Sequence, residues 1–201
     1  MKTTLPKRSQ SYQQDITEIT QIIKEIGKAK IAYIILFGSF ARGDFYETEI
    51  KQESDGSWLE YRSDYDFLII TNRYEQGTGD AARNLERKIE EKITKNLLDK
   101  ERTVSLIIEP LKRVNKDLKK GHYFFADIKK EGILLYKNEK AEELEEPKEL
   151  TNAERKELAE GYYEEWMENA EEFWDNALYK FSKKSYKNAS FQLHQTVESL
   201  Y

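Results

Sequence analysis

The apolar run from Ile31 to Phe37 restricts the fold more than any other feature of this sequence. It is rich in β-branched residues, has the length of a strand, and is ended at once by Gly38-Ser39. Because side chains alternate between the two faces of a strand, a run without polar positions is apolar on both faces. The run therefore predicts a strand that is buried on both sides.

Other segments have the patterns of further core strands and of amphipathic helices. Strand patterns occur at 64–70, 103–108 and 133–136, and helical periodicity occurs at 15–28, 81–93, 110–121 and briefly around 124–128. Between Phe45 and Tyr61, Asp55-Gly56 separates two short segments in the manner of a tight hairpin turn. We expect this hairpin to form a flap on the surface.

The last third of the chain has a different organisation. Residues 138–150 are charged and almost free of large apolar side chains, which indicates a linker after a domain over residues 1–137. Thr151 and Glu154 then have the spacing of a capping box, ahead of two amphipathic stripes. Residues 151–201 are therefore predicted to form a helical hairpin. Because two helices bury little apolar surface alone, we expect this part to associate with a partner or with more chain.

Composition argues against several kinds of site and partner. The 201 residues include no cysteine and only two histidines, which excludes disulfides and thiolate chemistry and argues against a histidine-built metal centre. No apolar run approaches the roughly 20 residues of a membrane span, so the cytoplasm is the expected location. The net charge of −5 gives no general attraction to nucleic acid, which is not expected as a partner, but a local basic surface is compatible with it.

Two aspartates and a glycine-led turn form the most informative constellation. Asp64 and Asp66 open a predicted strand, so their side chains project from the same face, with their backbones about 6 to 7 Å apart. Such a pair, without sulfur or imidazole, favours Mg²⁺ or Mn²⁺. The amides and hydroxyl of Gly38-Ser39 suit phosphate oxygens, and Arg42 adds a charge. The alternative is a solvated strand end that caps neighbouring amides, but the combination with Gly38-Ser39 favours a nucleoside triphosphate site.

Three short motifs, Gly38-Ser39, Arg42-Gly43 and Ser63-Asp64-Tyr-Asp66, resemble the signature of the minimal nucleotidyltransferase domain of the DNA polymerase β-like superfamily. The likeness covers roughly residues 15–137. It implies an α/β (α+β) fold with a small mixed sheet flanked by helices. It also implies Mg²⁺, an NTP substrate that we expect to be ATP, and transfer of a nucleotidyl group to a hydroxyl. By this resemblance the catalytic Asp64 and Asp66 hold the metal, and Gly38, Ser39, Arg42 and Gly43 bind the nucleotide.

Two departures from the family pattern bear on catalysis. The gap between the glycine-serine pair and the acidic pair is longer than usual, and the predicted hairpin occupies it. A third carboxylate normally comes from a later strand, but the segment from Thr103 to Glu109 has no Asp in its middle. Parity places Ser105 at the expected position and Glu109 further along the same face. Glu109 is kept as a candidate catalytic residue, with a helix-start role as its alternative, and Glu47, Glu49 and Glu53 of the flap are further candidates.

The C-terminal segment carries a second likeness. The stretch from Ala189 to Glu198 is similar to a helix of the HEPN domain, a helical bundle often paired with minimal nucleotidyltransferases. The resemblance implies a bundle architecture and association through residues 151–201, as a homo-oligomer or with a helical partner. The Arg-and-His motif of HEPN ribonucleases has no counterpart in this sequence, so ribonuclease activity is not expected.

The sequence thus favours a Mg²⁺-dependent nucleotidyltransferase whose acceptor hydroxyl, by resemblance to the antitoxins of this group, can belong to a protein. The alternative from another functional class is a catalytically weak or inactive nucleotide-binding module that acts through its helical part. Ser105 supports this alternative, and the intact acidic pair supports the enzyme.

Overall fold

The run from Ile31 to Phe37 forms an inner strand of a four-stranded sheet. The structure is a computed structural model, and it describes residues 1–52, 58–96 and 102–200. The described chain divides into two compact units, Met1–Lys148 and Glu149–Tyr201. In chain order the first unit contains α1 (Gln13–Gly27), β1 (Ile31–Phe37), α2 (Gly38–Arg42), β2 (Glu49–Gln52), β3 (Trp58–Tyr61), β4 (Tyr65–Thr71), α3 (Gly79–Asn96), β5 (Val104–Pro110), α4 (Leu111–Lys120), α5 (Tyr123–Glu131) and β6 (Ile133–Lys137). The α+β class expected from the sequence is confirmed.

The main sheet is mixed, with the strand order β5-β4-β1-β6. Strand β1 is antiparallel to both β4 and β6, whereas β4 and β5 are parallel. The register pairs Phe37 with Asp66 and Asp66 with Ser105. The end of β1 and the starts of β4 and β5 therefore meet at one edge of the sheet.

Alternation along the strands divides the core into two layers. One layer joins α1 and α3 to the sheet through residues such as Ile23, Phe67 and Ile89. The other layer joins α4 and α5 to the opposite face through Leu68, Leu118 and Phe125. Each fully buried aliphatic or aromatic side chain contributes about 1.5 to 3 kcal/mol, so both layers help to hold the sheet between its helices.

The predicted flap is a two-stranded antiparallel hairpin. Strands β2 and β3 pair from Glu49 opposite Tyr61 to Gln52 opposite Trp58. The turn residues Asp55-Gly56, on which the prediction depended, lie outside the described residues. Ile50 and Trp58 are exposed, as expected for a surface element.

The segment predicted as a linker, 138–150, is irregular but is largely packed on the first unit. Its backbone accepts hydrogen bonds from the Tyr33 hydroxyl, 2.7 Å from the Glu142 oxygen, and from the Lys129 ammonium, 2.8 Å from the Glu145 oxygen. Leu144 packs against the layer formed by α4 and α5. The boundary between the units falls after Lys148 instead of after residue 137, because these charged residues use their backbone groups and few apolar side chains to dock.

The second unit is a helical hairpin of α6 (Asn152–Ser182) and α7 (Tyr186–Leu200), which pack against each other. The predicted capping box is present: the Thr151 hydroxyl accepts from the Glu154 amide, and the Glu154 carboxylate accepts from the Thr151 amide at 2.9 Å. Among the described residues, no helix has both the length and the apolar character that crossing a membrane requires.

Candidate functional site

The acidic pair lies at the start of β4, on the face of the sheet that α4 and α5 partly cover. Asp66 shares the parity of Leu68 and Ile70, which pack beneath α4 and α5. Leu68 and Ile70 are fully buried on this face, whereas Asp64 and Asp66 are only half-buried. The pair therefore lies on an accessible shelf beside the covered core.

Gly38 makes the closest approach to this pair. It has a φ of +70°, and a Cβ at this position would be 2.1 Å from the Asp66 Oδ2 and 3.0 Å from its Cγ. Only glycine accommodates both the left-handed backbone and this proximity. The turn after β1 thus brings the backbone directly against a carboxylate of the pair. The sequence motif predicted only that the turn and the acidic pair lie near each other.

The charge of the acidic pair is poorly compensated by the protein. Burial, together with the neighbouring Asp64 carboxylate, raises the pKa of Asp66 to about 6, and Arg42 opposes this rise. No described residue donates a hydrogen bond to the Asp66 carboxylate. A positive charge placed between the two aspartates would relieve both their repulsion and their incomplete solvation.

Thr103 and Ser105 complete the floor of this shelf. The Thr103 hydroxyl donates a hydrogen bond to the Asp64 Oδ1, which holds that carboxylate at the edge of β5. Ser105 lies directly across the sheet from Asp66. The hydroxyl side chain of Ser105 therefore occupies the position at which the family resemblance implies a third carboxylate.

Glu109 lies away from the acidic pair, further along the same face as strand parity indicated, so the structure does not bring this candidate catalytic residue to the site. It pairs with Ile70 near the far end of β4, four positions from Ser105, which is about 13 Å along the strand. Its carboxylate forms an ion pair with Arg113, 3.0 Å away, on the first turns of α4. Burial raises the pKa of Glu109, as expected for a carboxyl group shielded by that helix.

The nucleotide-binding candidates of the turn are arranged around α2. Ser39 is the second residue of α2, directly after Gly38, and its carbonyl accepts from the Gly43 amide at 2.7 Å. Arg42 is half-exposed, and its Nε lies 3.0 Å from the Asp44 Oδ2. Gly43 has a φ of +85° and ends α2 against Pro6. Gly38, Ser39 and Arg42 thus lie near the acidic pair, whereas Gly43 has an evident structural role in ending the turn.

The flap glutamates do not add a demonstrable ligand. Glu47 is exposed, and its backbone oxygen accepts a hydrogen bond from Arg102 at 3.2 Å. Glu53 and the side chain of Glu49 lie outside what the structure describes. Within the described ranges, no cluster of three or more acidic or histidine side chains has the arrangement of a metal site.

Arg102 is a site-supporting residue that the sequence did not reveal. Its guanidinium donates to the backbone oxygens of Tyr46 and Ser63, each at 3.1 Å, and lies over the Tyr12 ring, 5.0 Å from the centroid. It thereby ties both ends of the hairpin to the segment that enters β5. No local pattern signals this role, because its partners are 39 to 90 residues away along the chain.

Two aromatic residues beside the turn, Phe37 and Phe124, were also not identified from the sequence as part of the site. Phe37, the last residue of β1, contacts the ring of Phe124 edge-on, with 6.0 Å between centroids. Phe124 is 37% exposed and lies at the start of α5, which contacts α2. The sequence indicated only a short helix around Phe124, and the partly exposed ring lies beside the region of Gly38-Ser39 and the acidic pair.

Comparisons with protein-family models, with curated proteins and with solved structures yield no match. The geometry of the residues around Asp64 and Asp66 is therefore what indicates a function.

Proposed function

We propose that this chain is a Mg²⁺-dependent nucleotidyltransferase that binds an NTP, with ATP as the expected one, and transfers its nucleotidyl group to a hydroxyl acceptor. The observation that carries the proposal is the contact between Gly38 and Asp66: a glycine-led turn lies against one of two neighbouring carboxylates. Because the turn lies directly against the carboxylate, phosphate oxygens held by the turn and a cation held by the aspartates would be neighbours.

The donor set fits a hard divalent cation. Asp64 and Asp66 supply only oxygen ligands. Burial and the neighbouring Asp64 carboxylate raise the pKa of Asp66, and Arg42 offsets this rise only in part. Mg²⁺ typically takes one or two protein carboxylates and completes its coordination with water and substrate phosphates. Two aspartates are therefore sufficient to hold a metal–nucleotide complex, and the ion when bound would neutralise the phosphates and polarise the α-phosphate.

The remaining residues orient the nucleotide. The hydroxyl of Ser39 and the approach allowed by Gly38 serve the phosphates, and Arg42 adds a positive charge on the same side. Phe124, supported edge-on by Phe37, offers the exposed part of its ring to a base. In this proposal the triphosphate lies over the start of β4 and the base lies over the start of α5.

The reaction that this placement serves is an in-line displacement. The acceptor oxygen forms a bond to the α-phosphorus, the bond from this phosphorus to the oxygen bridging the β-phosphate breaks, and pyrophosphate leaves. The hydroxyl proton passes to water. The chain contributes by binding and orienting the triphosphate, which lowers the entropic part of the barrier.

A second candidate function is favoured by one observation. Ser105 lies across from Asp66, where a third carboxylate would serve the acceptor hydroxyl. A chain with two carboxylates can bind an NTP and yet transfer slowly or not at all. The rival is thus a nucleotide-binding module that acts through its helical unit.

The deciding experiment uses ATP labelled on its α-phosphate, with Mg²⁺, and measures both binding and pyrophosphate release. We expect Mg²⁺-dependent binding by the wild type and its loss in Asp64→Asn and Asp66→Asn. Glu109→Gln is the matched control, because it removes a carboxylate from the same sheet face about 13 Å away and should leave binding unchanged.

The outcomes separate the two functions. Pyrophosphate release with label transferred to a hydroxyl supports the enzyme. Binding without release supports the binding module. Absence of Mg²⁺-dependent binding by the wild type, or equal loss in Glu109→Gln, contradicts both.

The helical unit is part of the same proposal. Trp166, Trp174, Phe181 and Phe191 are exposed on α6 and α7, and such aromatic surface favours association. We propose that residues 151–201 form the contact with a second copy or with a helical protein, which can also present the acceptor hydroxyl. Light scattering of the purified chain tests self-association: a monomer at all concentrations excludes the homo-oligomer.

A further inference from the structure

A broad cleft of about 1330 Å³ lies on the first unit, at the sheet edge opposite the acidic pair. Its walls come from the segments that follow β4 and β6, from one side of α4, which follows β5, and from Ala29 just before β1. Asn72 and Asn115 fix these walls by bonding backbone groups, with Asn72 Nδ2 2.7 Å from the Ala29 oxygen and Asn115 Oδ1 2.9 Å from the Glu145 amide. The cleft is therefore formed before any ligand binds.

The cleft is positive although the whole chain is acidic. Its described lining carries six cationic side chains and three acidic ones, a local balance of +3 against −5 for the chain. The cations are Arg73, Lys112, Lys116, Lys119, Lys120 and Lys140. Within the described part of the chain, only Lys119 among them is held in an ion pair, with Glu145 at 2.9 Å. The others are exposed and available to a ligand.

The spacing of these cations indicates an extended anion. Lys112, Lys116 and Lys120 are four residues apart on α4, so they form a row about 12 Å long on one side of the helix. Arg73 and Lys140 lie on the facing walls. A single phosphate needs converging charges, whereas a row of charges along a cleft suits a chain of phosphates.

The exposed ring of Tyr74 favours a nucleic acid over other polyanions as the ligand of this cleft. It lines the same cleft and is 54% exposed, next to Arg73. An exposed aromatic ring beside a cationic groove is the combination that binds single strands, because bases stack on the ring while the groove follows the backbone. An acidic peptide would use the cations but gain little from the ring.

We propose that this cleft binds a single-stranded nucleic acid, with the lysine row of α4 contacting its phosphates and Tyr74 stacking on a base. The site is separate from the nucleotide site, because Asp66 and Asn72 are six positions apart in and just after β4, about 20 Å along the strand. The net charge of the chain had indicated that nucleic acid is not a partner. Net charge, however, includes the acidic helical unit and does not describe local surfaces such as this cleft.

The test is fluorescence anisotropy of the full chain with a labelled single-stranded oligo-U RNA of roughly 12 nucleotides. If about four phosphates are contacted, the affinity of the wild type should fall about 50-fold between about 50 and 200 mM salt. The triple variant Lys112→Glu, Lys116→Glu, Lys120→Glu should lose at least tenfold at low salt and show a shallower salt dependence.

A matched control is available on α3. Lys88, Lys92 and Lys95 are also exposed and helically spaced, and their replacement by Glu changes the net charge by the same amount. This control triple should stay within about twofold of the wild type, because long-range effects are screened. Tyr74→Ala should weaken RNA binding by about tenfold. Asp66→Asn should leave RNA binding unchanged, so that RNA binding in the cleft is tested separately from the proposed nucleotidyl transfer.

Several results would overturn the proposal. One is absence of RNA binding at low salt, and another is an equal loss in the two lysine triples. Displacement of the RNA by tripolyphosphate or poly-glutamate at equal charge concentration, with no effect of Tyr74→Ala, would show a general anion surface. Preserved folding of both triples, measured by circular dichroism, ensures that a loss reflects binding.

Discussion

Gly38→Ala should separate folding from nucleotide binding. The new Cβ would require a non-glycine residue at a φ of +70° and would lie 2.1 Å from the Asp66 Oδ2. The left-handed backbone costs about 1 kcal/mol, at the low end for a residue with a Cβ. The clash involves the end of a short side chain, so Asp66 can rotate away at a further cost of about 1 kcal/mol. The chain should stay folded, but the carboxylate of Asp66 should be displaced.

Urea unfolding and calorimetric titration with Mg²⁺-ATP together test this reasoning. We expect Gly38→Ala to lose about 2 kcal/mol of unfolding free energy and at least tenfold in Mg²⁺-ATP affinity. Gly79→Ala is the control, because Gly79 also has a positive φ, +55°, but a Cβ at that position would meet nothing within 4 Å. It should lose only about 1 kcal/mol and bind normally. Wild-type affinity in Gly38→Ala, or equal loss in Gly79→Ala, would refute the argument.

Three further predictions concern the same site. The pKa of Asp66 is raised to about 6, above its unfolded value, so the stability that it contributes is present at low pH and is lost as pH rises from about 4 through 6. Asp66→Asn should therefore stabilise the metal-free chain at neutral pH, by about 1 kcal/mol after allowance for partial exposure. Thermal unfolding from about pH 4 to 8 should show that the stability difference between this variant and the wild type vanishes at the acidic end. Ser105→Asp, which adds a carboxylate opposite Asp66, should raise the rate of pyrophosphate release at least tenfold, whereas Ser105→Asn should not; equal rates would show that the third carboxylate is not what the site lacks. Phe124→Ala should weaken ATP binding by about fivefold, as expected for loss of about 1 kcal/mol of stacking, and Phe124→Leu should weaken it similarly; an unchanged affinity in both would exclude Phe124 from the base site.

The sequence predicted the main strands well because their signals are local. The run from Ile31 to Phe37 needs no partner to be identified, since its length and lack of polar positions suffice. The strand parity around Ser105 was also accurate, because alternation is a property of any strand. The same parity could not show that Glu109 would be engaged by Arg113, since that contact depends on how α4 follows β5.

Features set by distant parts of the chain were beyond such reasoning. Arg102 binds backbone oxygens from both sides of the hairpin, and backbone acceptors carry no sequence signature. The charged segment after residue 137 lacks the apolar residues that usually mark docking, yet Lys129 and Tyr33 bind its carbonyl groups. The cationic cleft likewise forms from segments that follow three different strands, so its charge is invisible in the net charge of the chain.

A crystal structure with Mn²⁺ and a non-hydrolysable ATP analogue, with the metal located by its anomalous scattering, would show directly whether Asp64 and Asp66 bind the metal. We expect a Mn²⁺ ion in contact with oxygens of both Asp64 and Asp66, with the triphosphate against Gly38-Ser39. A nucleotide bound elsewhere, or Mn²⁺ that avoids the two aspartates, would contradict this expectation.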